Sequence, residues 1–252
     1  MRFLAMQARP NLLLIISMFL VVLLQCIILP TATALSIEGI GSERIRPTSS
    51  KNNAGRESTP KSYNYFAYGS NICLATMRDL RQIKPLASAP AILPKHSLRF
   101  NIPGIPLIEP SWASVEPSDD VSAMHGVVYK LSSQDFVKVC ESEGVPFGYV
   151  LHRCNPVLYI GDGERAGADA LSSKGPGRKC FAYTLRAPPA LRRNRDVPPS
   201  RAYLNVILRG AKEYKLDADY IRYLEDLEVG TTVIGDGLAE KMLRQASDNR
   251  RN

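Results

Sequence analysis

Tyr63-Asn64-Tyr65-Phe66-Ala67-Tyr68-Gly69-Ser70-Asn71 anchors everything around it. The aromatic run 63–68 reads as a β-strand. Gly69-Ser70-Asn71 breaks it, because glycine takes positive φ freely and asparagine tolerates it. Residues 74–80 then read as a short helix. A strand, a tight turn and a helix in that order gather backbone N–H groups at the helix start, where they favour an anion. Working outward, residues 97–101, 111–116 and 124–131 read as further strands, and 102–106 as an irregular loop. Ser132 or Ser133 caps a helix that ends before Gly144. Residues 149–160 and 179–185 read as a strand pair joined by an exposed Gly/Ser/Asp-rich loop, 161–177. Pro198-Pro199-Ser200 opens a long helix to about Tyr214, and a last helix follows Asp217. The order predicts a mixed α/β (α+β) domain: a small barrel-like mixed sheet flanked by helices.

The chain of 252 residues divides on composition into four parts. In 1–34, Arg2 and Arg9 precede an apolar run, and Thr31-Ala32-Thr33-Ala34 follows it. This pattern describes a secretory signal peptide. The run is also long enough to be an uncleaved membrane anchor. Residues 35–61 are rich in Ser, Arg, Lys and Asn. They read as a disordered linker, or as the second half of a bipartite plastid leader. Residues 62–229 form the globular domain, and 230–252 read as a loose tail. The leader directs the chain into the secretory pathway, to be secreted, anchored or passed to a plastid. Any membrane association runs through the leader alone, if it is uncleaved.

The formal charge of +8 favours anionic partners without saying which. Arg186, Arg192, Arg193, Arg195 and Arg201 lie in a proline-rich stretch without interleaved aromatics, which reads as a solvated basic loop. Nucleic-acid binding calls for a basic face with stacking aromatics, and neither is present. Of five cysteines, Cys26 lies in the leader. Cys73, Cys140, Cys154 and Cys180 have no C-x-x-C spacing, so zinc and thioredoxin-like chemistry are disfavoured. They read either as disulfides or as buried free thiols. His96, His125 and His152 show no metal-ligand spacing and read as structural. No Gly-x-Ser-x-Gly elbow occurs. A thiolate at Cys73, just past the turn, is a weaker alternative. No metal and no cofactor is expected.

One carboxylate stands out. In the helix before Gly144, Phe136, Val139, Cys140 and Glu143 share one face, while Glu141 points well away, at roughly 140° from Phe136. The apolar stripe therefore ends in an acid. Burial, the helix C-terminus and the nearby Glu141 all disfavour an anion there. An acid in such surroundings suits general acid–base work. The competing reading is a glutamate turned outward at a frayed helix end.

Together and in order, these features resemble the γ-glutamyl cyclotransferase family. The resemblance lies in Tyr65-Phe66-Ala67-Tyr68-Gly69-Ser70-Asn71, Gly126-Val127-Val128-Tyr129-Lys130-Leu131, Glu141-Ser142-Glu143-Gly144-Val145 with Gly148-Tyr149, and Pro198-Pro199-Ser200-Arg201-Ala202-Tyr203 leading into Gly210-Ala211-Lys212-Glu213. It implies a compact fold around a small barrel, with Glu143 as catalytic acid–base. It implies a γ-glutamyl pocket lined by Tyr65, Phe66, Ala67, Tyr68, Gly69, Ser70 and Tyr203. Asn71, Tyr149 and Tyr183 fall at lining or supporting positions. The implied enzyme closes a γ-glutamyl group on its own α-amine, giving 5-oxoproline and a free amino acid or amine, within glutathione-related metabolism. Relatives specific for glutathione usually carry Tyr-Gly-Ser-Leu, so Asn71 points away from them. Two alternatives stand beside the enzyme: a non-catalytic γ-glutamyl-binding relative, and a membrane-tethered interaction domain using the Pro-Arg stretch.

Overall fold

The computed structural model describes residues 61–105, 108–119, 123–172 and 176–232. The predicted leader, most of the linker and most of the tail lie outside the described residues. Among the described residues no helix is long and apolar enough to cross a membrane.

Among the described residues there are eight strands and four α-helices. Strands β1 (Ser62–Ala67), β2 (Ala87–Leu93), β3 (His96–Ile105), β4 (Glu109–Pro117) and β5 (Met124–Ser132) precede helix α1 (Ser133–Ser142). Then come β6 (Val150–Cys154), β7 (Val157–Leu158), α2 (Ala166–Ala170), β8 (Ala182–Arg186), α3 (Arg201–Glu213) and α4 (Ala218–Glu225). Six strands form one sheet in the order β6-β8-β1-β5-β2-β7, and β3-β4 pair separately. The pairing of β1 with β8 is parallel, and the other neighbours in the six-stranded sheet are antiparallel. The expected mixed sheet with flanking helices is therefore present. It is not closed into a barrel: β6 and β7 are its two edges.

The quoted aromatic strand is central because it is apolar on both faces. Tyr65, Phe66 and Ala67 are all buried, a pattern that suits a strand covered on both sides. Helix α1 starts where Ser132 Oγ accepts the Asp135 N–H at 3.1 Å, and stops at Gly144, whose φ of +65° ends it in the left-handed conformation. Helix α3 starts where Ser200 Oγ accepts the Tyr203 N–H at 2.9 Å. Its buried Tyr203, Leu204, Ile207, Leu208 and Ala211 repeat at helical spacing.

Several boundaries differ from those expected. Residues 102–105 continue β3 past an irregularity in its pairing with β4 between Arg99 and Ile102, instead of forming a loop. Residues 149–160 hold two strands on opposite edges of the sheet, not one. The segment 161–177 contains α2, tied down because the Asp217 carboxylate accepts the Gly167 and Ala168 N–H groups at 2.7 and 2.8 Å. Cys73, Cys140, Cys154 and Cys180 are all free thiols, the first three buried.

The basic stretch is only in part a solvated loop. Arg186 and Arg192 converge on Glu116, the former at 2.8 Å, and Ser114 Oγ donates to the same carboxylate at 3.0 Å. Arg193 donates to the Pro110 carbonyl at 3.2 Å. Burial pushes the Glu116 carboxyl up, but Arg186, Ser114 and Arg192 together outweigh it and hold the group below its ordinary range. A carboxyl lowered in the fold adds stability above its unfolded value, about 4.3, and that contribution is lost as pH falls through the folded value. Glu116→Gln is therefore expected to be less stable than wild type at pH 7, with the gap closing below about pH 4. Urea denaturation across pH checks this, and a gap that stays constant down to pH 3 would contradict it.

Candidate active site

Past the end of β1 the chain turns sharply. Gly69 leads into a 3-10 turn, Ser70–Ile72, closed by Ile72 N–H to Gly69 O at 2.9 Å and Cys73 N–H to Ser70 O at 3.1 Å. A one-turn π-type helix, Thr76–Leu80, follows. The expected α-helix start is thus two short, tighter and looser turns. Its dipole cannot be summed as for a long helix, and only individual N–H groups remain to meet an anion.

The turn forms one wall of a cleft. Tyr65, Tyr68, Gly69, Ser70 and Asn71 line it from β1 and the turn, and Glu143 from the end of α1. Tyr149, Ala113, Leu185 and Tyr203 complete it. The empty space, open mouth included, is about 270 Å³.

Each wall is tied to another by a hydrogen bond. Tyr68 Oη donates to the Leu185 carbonyl at 2.5 Å, and Tyr149 Oη to the Ala113 carbonyl at 2.8 Å. Tyr203 Oη accepts the Ala113 N–H at 3.4 Å. Its ring meets Trp112 edge-on, with centroids 5.1 Å apart. Tyr203 also comes close enough to the turn that a Cβ on residue 69 would lie 3.1 Å from its hydroxyl. Glycine at 69 thus keeps the phenol against the backbone. Burial pushes the phenols of Tyr65, Tyr68, Tyr149 and Tyr203 well above their ordinary range. They stay protonated near neutral pH and serve as neutral hydrogen-bonding groups.

Glu143 is the one carboxylate among the lining residues. It caps the C-terminus of α1, and its N–H donates to the Val139 carbonyl at 3.1 Å. Phe136, Val139 and Cys140 are buried beneath it while Glu141 is exposed, so the predicted division of the two acids holds. Its side chain keeps 15% of its surface exposed. Burial and the helix C-terminus on their own are hostile to an anion here. The structure adds a counter-charge: the Arg81 guanidinium forms an ion pair with Glu143 Oε1. Asn71 Nδ2 donates to the same oxygen at 3.0 Å.

Of the site residues predicted from sequence, Glu143, Tyr65, Tyr68, Gly69, Ser70 and Tyr203 meet around the cleft, as do Asn71 and Tyr149. Phe66 and Ala67 do not line it: both are core residues at 0% exposure. Side chains alternate along a strand, so Phe66 faces away from Tyr65, toward Gly126. Tyr183 lies outside the lining too, packed among Tyr63, Phe136 and Phe181. Cys73 is fully buried and is not a lining residue. Arg81, Ala113 and Leu185 were not anticipated. Ala113 and Leu185 carry no chemical signal, and Arg81 lies across a helical turn of irregular geometry. Among the described residues no group of three or more His, Cys, Asp or Glu is arranged to hold a metal ion.

Comparison with known proteins gives this arrangement its context. Residues 123–224 match the AIG2-like family. The γ-glutamyl cyclotransferase gliK of Claviceps purpurea is 32% identical over 153 residues, covering 59% of this chain and 62% of that protein. The γ-glutamyl cyclotransferase gliK of Aspergillus fumigatus is 34% identical over 179 residues, covering 65% and 61%. The chain thus spans about three fifths of the length of these curated relatives. Among solved structures, a γ-glutamyl cyclotransferase shares the fold with a TM-score of 0.57 at 22% identity, over 73% of this chain and 99% of that one. In sequence the chain is similar to these γ-glutamyl cyclotransferases, and in fold to a solved one.

Proposed function

We propose that the protein is a cyclotransferase that converts a γ-glutamyl amino acid or amine to 5-oxoproline and the free amino acid or amine. The observation that carries this is a lone carboxylate, Glu143, set in a cleft walled by neutral phenols and the backbone of Gly69 and Ser70.

The reaction is an intramolecular aminolysis. The substrate α-amine, with a proton surrendered to Glu143, attacks the γ-carbonyl carbon. The C–N bond of a five-membered ring forms and a tetrahedral oxyanion appears. Glu143 passes that proton to the departing nitrogen and then takes the second proton from the ring nitrogen; the oxyanion collapses to the lactam carbonyl, the old amide C–N bond breaks, and the second proton leaves with the freed amine as its ammonium. Protons and electrons balance without water. Two obstacles stand in the way: the amine is mostly protonated at neutral pH, and the glutamyl chain must fold back on itself. Glu143 meets the first. The cleft meets the second by holding the amine near the carbonyl. Backbone N–H groups around Gly69 and Ser70 are suited to the α-carboxylate or to the oxyanion.

The cleft is small and opens to solvent. Only the reacting end of the substrate fits there, and the leaving amine points out through the mouth. Substrate choice is therefore set at the rim. Release of 5-oxoproline from γ-glutamyl-alanine, γ-glutamyl-lysine isomers and glutathione, measured with the folded full-length chain, tests this. Turnover of at least one compound is expected. Tight binding of such compounds without turnover would instead make the protein a γ-glutamyl-binding relative.

A further inference from the structure

Glu143 has two carboxylate oxygens, and the surrounding side chains treat them differently. The Arg81 guanidinium pairs with Oε1 through Nη2. Arg81 Nε donates to Asn71 Oδ1 at 2.7 Å, and Nη1 reaches the Ser142 carbonyl at 3.4 Å. A guanidinium has donors only. Its contact therefore settles which end of the Asn71 amide faces it: Oδ1 turns to Arg81, and Nδ2 is left to donate to Glu143 Oε1 at 3.0 Å and to Tyr65 Oη at 2.9 Å. Two donors thus converge on Oε1, while Oε2 takes no hydrogen bond among the described residues.

We infer that Arg81, with Asn71 as its relay, is a positioning residue that reserves Oε2 of Glu143 for proton exchange with substrate. The inference rests on the cyclotransferase reading above. Its geometry comes from the π-type turn. Arg81 N–H donates to the Thr76 carbonyl at 3.1 Å, five residues back, and Gln82 then takes φ +53°. The wider turn rotates residue 81 away from its α-helical direction and toward Glu143, and such single π turns recur at functional sites. The Arg81 side chain is only 14% exposed, so it is committed to this contact.

Charge gives Arg81 a second effect. A substrate ammonium approaching the Oε1 side would meet a cation already in place, whereas Oε2 is open to it. Without Arg81, both oxygens are available to a resting ammonium–carboxylate pair, which holds the ground state rather than the attacking geometry. Loss of Arg81 should therefore act on kcat and leave KM unchanged or lower.

The test uses the full-length chain and a γ-glutamyl compound that the wild type turns over. In Arg81→Met, kcat is expected to fall by about 10²-fold, the typical cost of a small misplacement, with KM no higher than wild type. Arg81→Lys, which keeps the charge but cannot span Asn71 and Glu143 together, is expected to recover no more than about a tenth of wild-type kcat. In Arg81→Ala, added guanidinium ion is expected to restore part of kcat, and to do nothing for Glu143→Gln. Arg81→Met with kcat within about twofold of wild type, or a loss confined to KM, overturns the inference. Should Arg81→Met not fold, wild-type kcat in Arg81→Lys overturns it equally. A wild type that turns over no γ-glutamyl compound overturns the cyclotransferase reading itself.

Discussion

Glu143→Gln is expected to lower 5-oxoproline release by about 10²–10⁴-fold, the usual worth of a positioned acid–base group, while leaving the fold in place. Glutamine is close in shape to glutamate, and its amide oxygen can still accept from Asn71 Nδ2 and Arg81, as Oε1 does now. What it cannot do is take a proton from the substrate amine. No other group on the cleft wall replaces it, because the four lining tyrosines are held protonated by burial. Glu141→Gln is the matched control: this acid is exposed on the far side of α1, and its activity should stay within about twofold of wild type, as for surface changes away from a site. Steady-state kinetics beside circular dichroism decides the matter. A folded Glu143→Gln chain with undiminished turnover would remove Glu143 from the reaction.

Gly210→Ala is expected to destabilise the fold by about 1–3 kcal/mol and to impair activity as well. Two effects oppose each other at this position. Alanine is the better helix former, by about 1 kcal/mol over glycine. On a free helix surface that would decide the outcome. At 210, however, an added Cβ would lie 2.6 Å from the Cys73 nitrogen and 2.7 Å from the Ile72 carbonyl carbon. Those are backbone atoms of the turn that lines the cleft and cannot swing aside as a flexible side chain would. The overlap therefore outweighs the propensity gain, and relief comes from pushing helix α3 and the turn apart. Tyr203 rides on that helix and Ser70 on that turn, so the cleft opens with it. Gly163→Ala offers the contrast, since nothing lies within 4 Å of its added Cβ. A urea midpoint of Gly210→Ala equal to wild type would show that the two backbones separate at no cost.

Where the chain's own periodicity was strong, element type could be read directly. Helices α1 and α3 carry apolar stripes and side-chain caps at Ser132 and Ser200, and β1 and β5 are apolar runs bounded by turn residues. Strand β2 escaped notice because Ala-Ser-Ala-Pro-Ala-Ile-Leu is small, weakly patterned and interrupted by Pro90. Its neighbour β7 pairs with Ala91 and Ile92, and Pro90 joins that edge only as an acceptor, its carbonyl taking the Tyr159 N–H at 3.1 Å. Closure into a barrel is not legible for a different reason: it depends on which strands become edges, and local sequence does not encode that.

The site shows the same division. Helical arithmetic separated Glu143 from Glu141. Strand arithmetic, applied as strictly, would have removed Phe66 from the lining. Arg81 was out of reach, because its direction depends on one wide turn between it and Asn71, and an ordinary α-helical count aims it elsewhere.

The order in which the sheet is assembled has a consequence during synthesis. Strand β1 lies between β5 and β8, and its bonds to the β8 side join residues more than a hundred positions apart: Tyr68 to Leu185 and Thr184 to Phe66. As the chain leaves the ribosome, β5 reaches β1 first. At about 5–20 residues per second, β8 follows a few seconds later. For that interval the aromatic strand carries an open flank with unmet N–H and carbonyl groups, a template for pairing with another nascent chain. The strand that later holds the cleft thus keeps an open flank until β8 emerges.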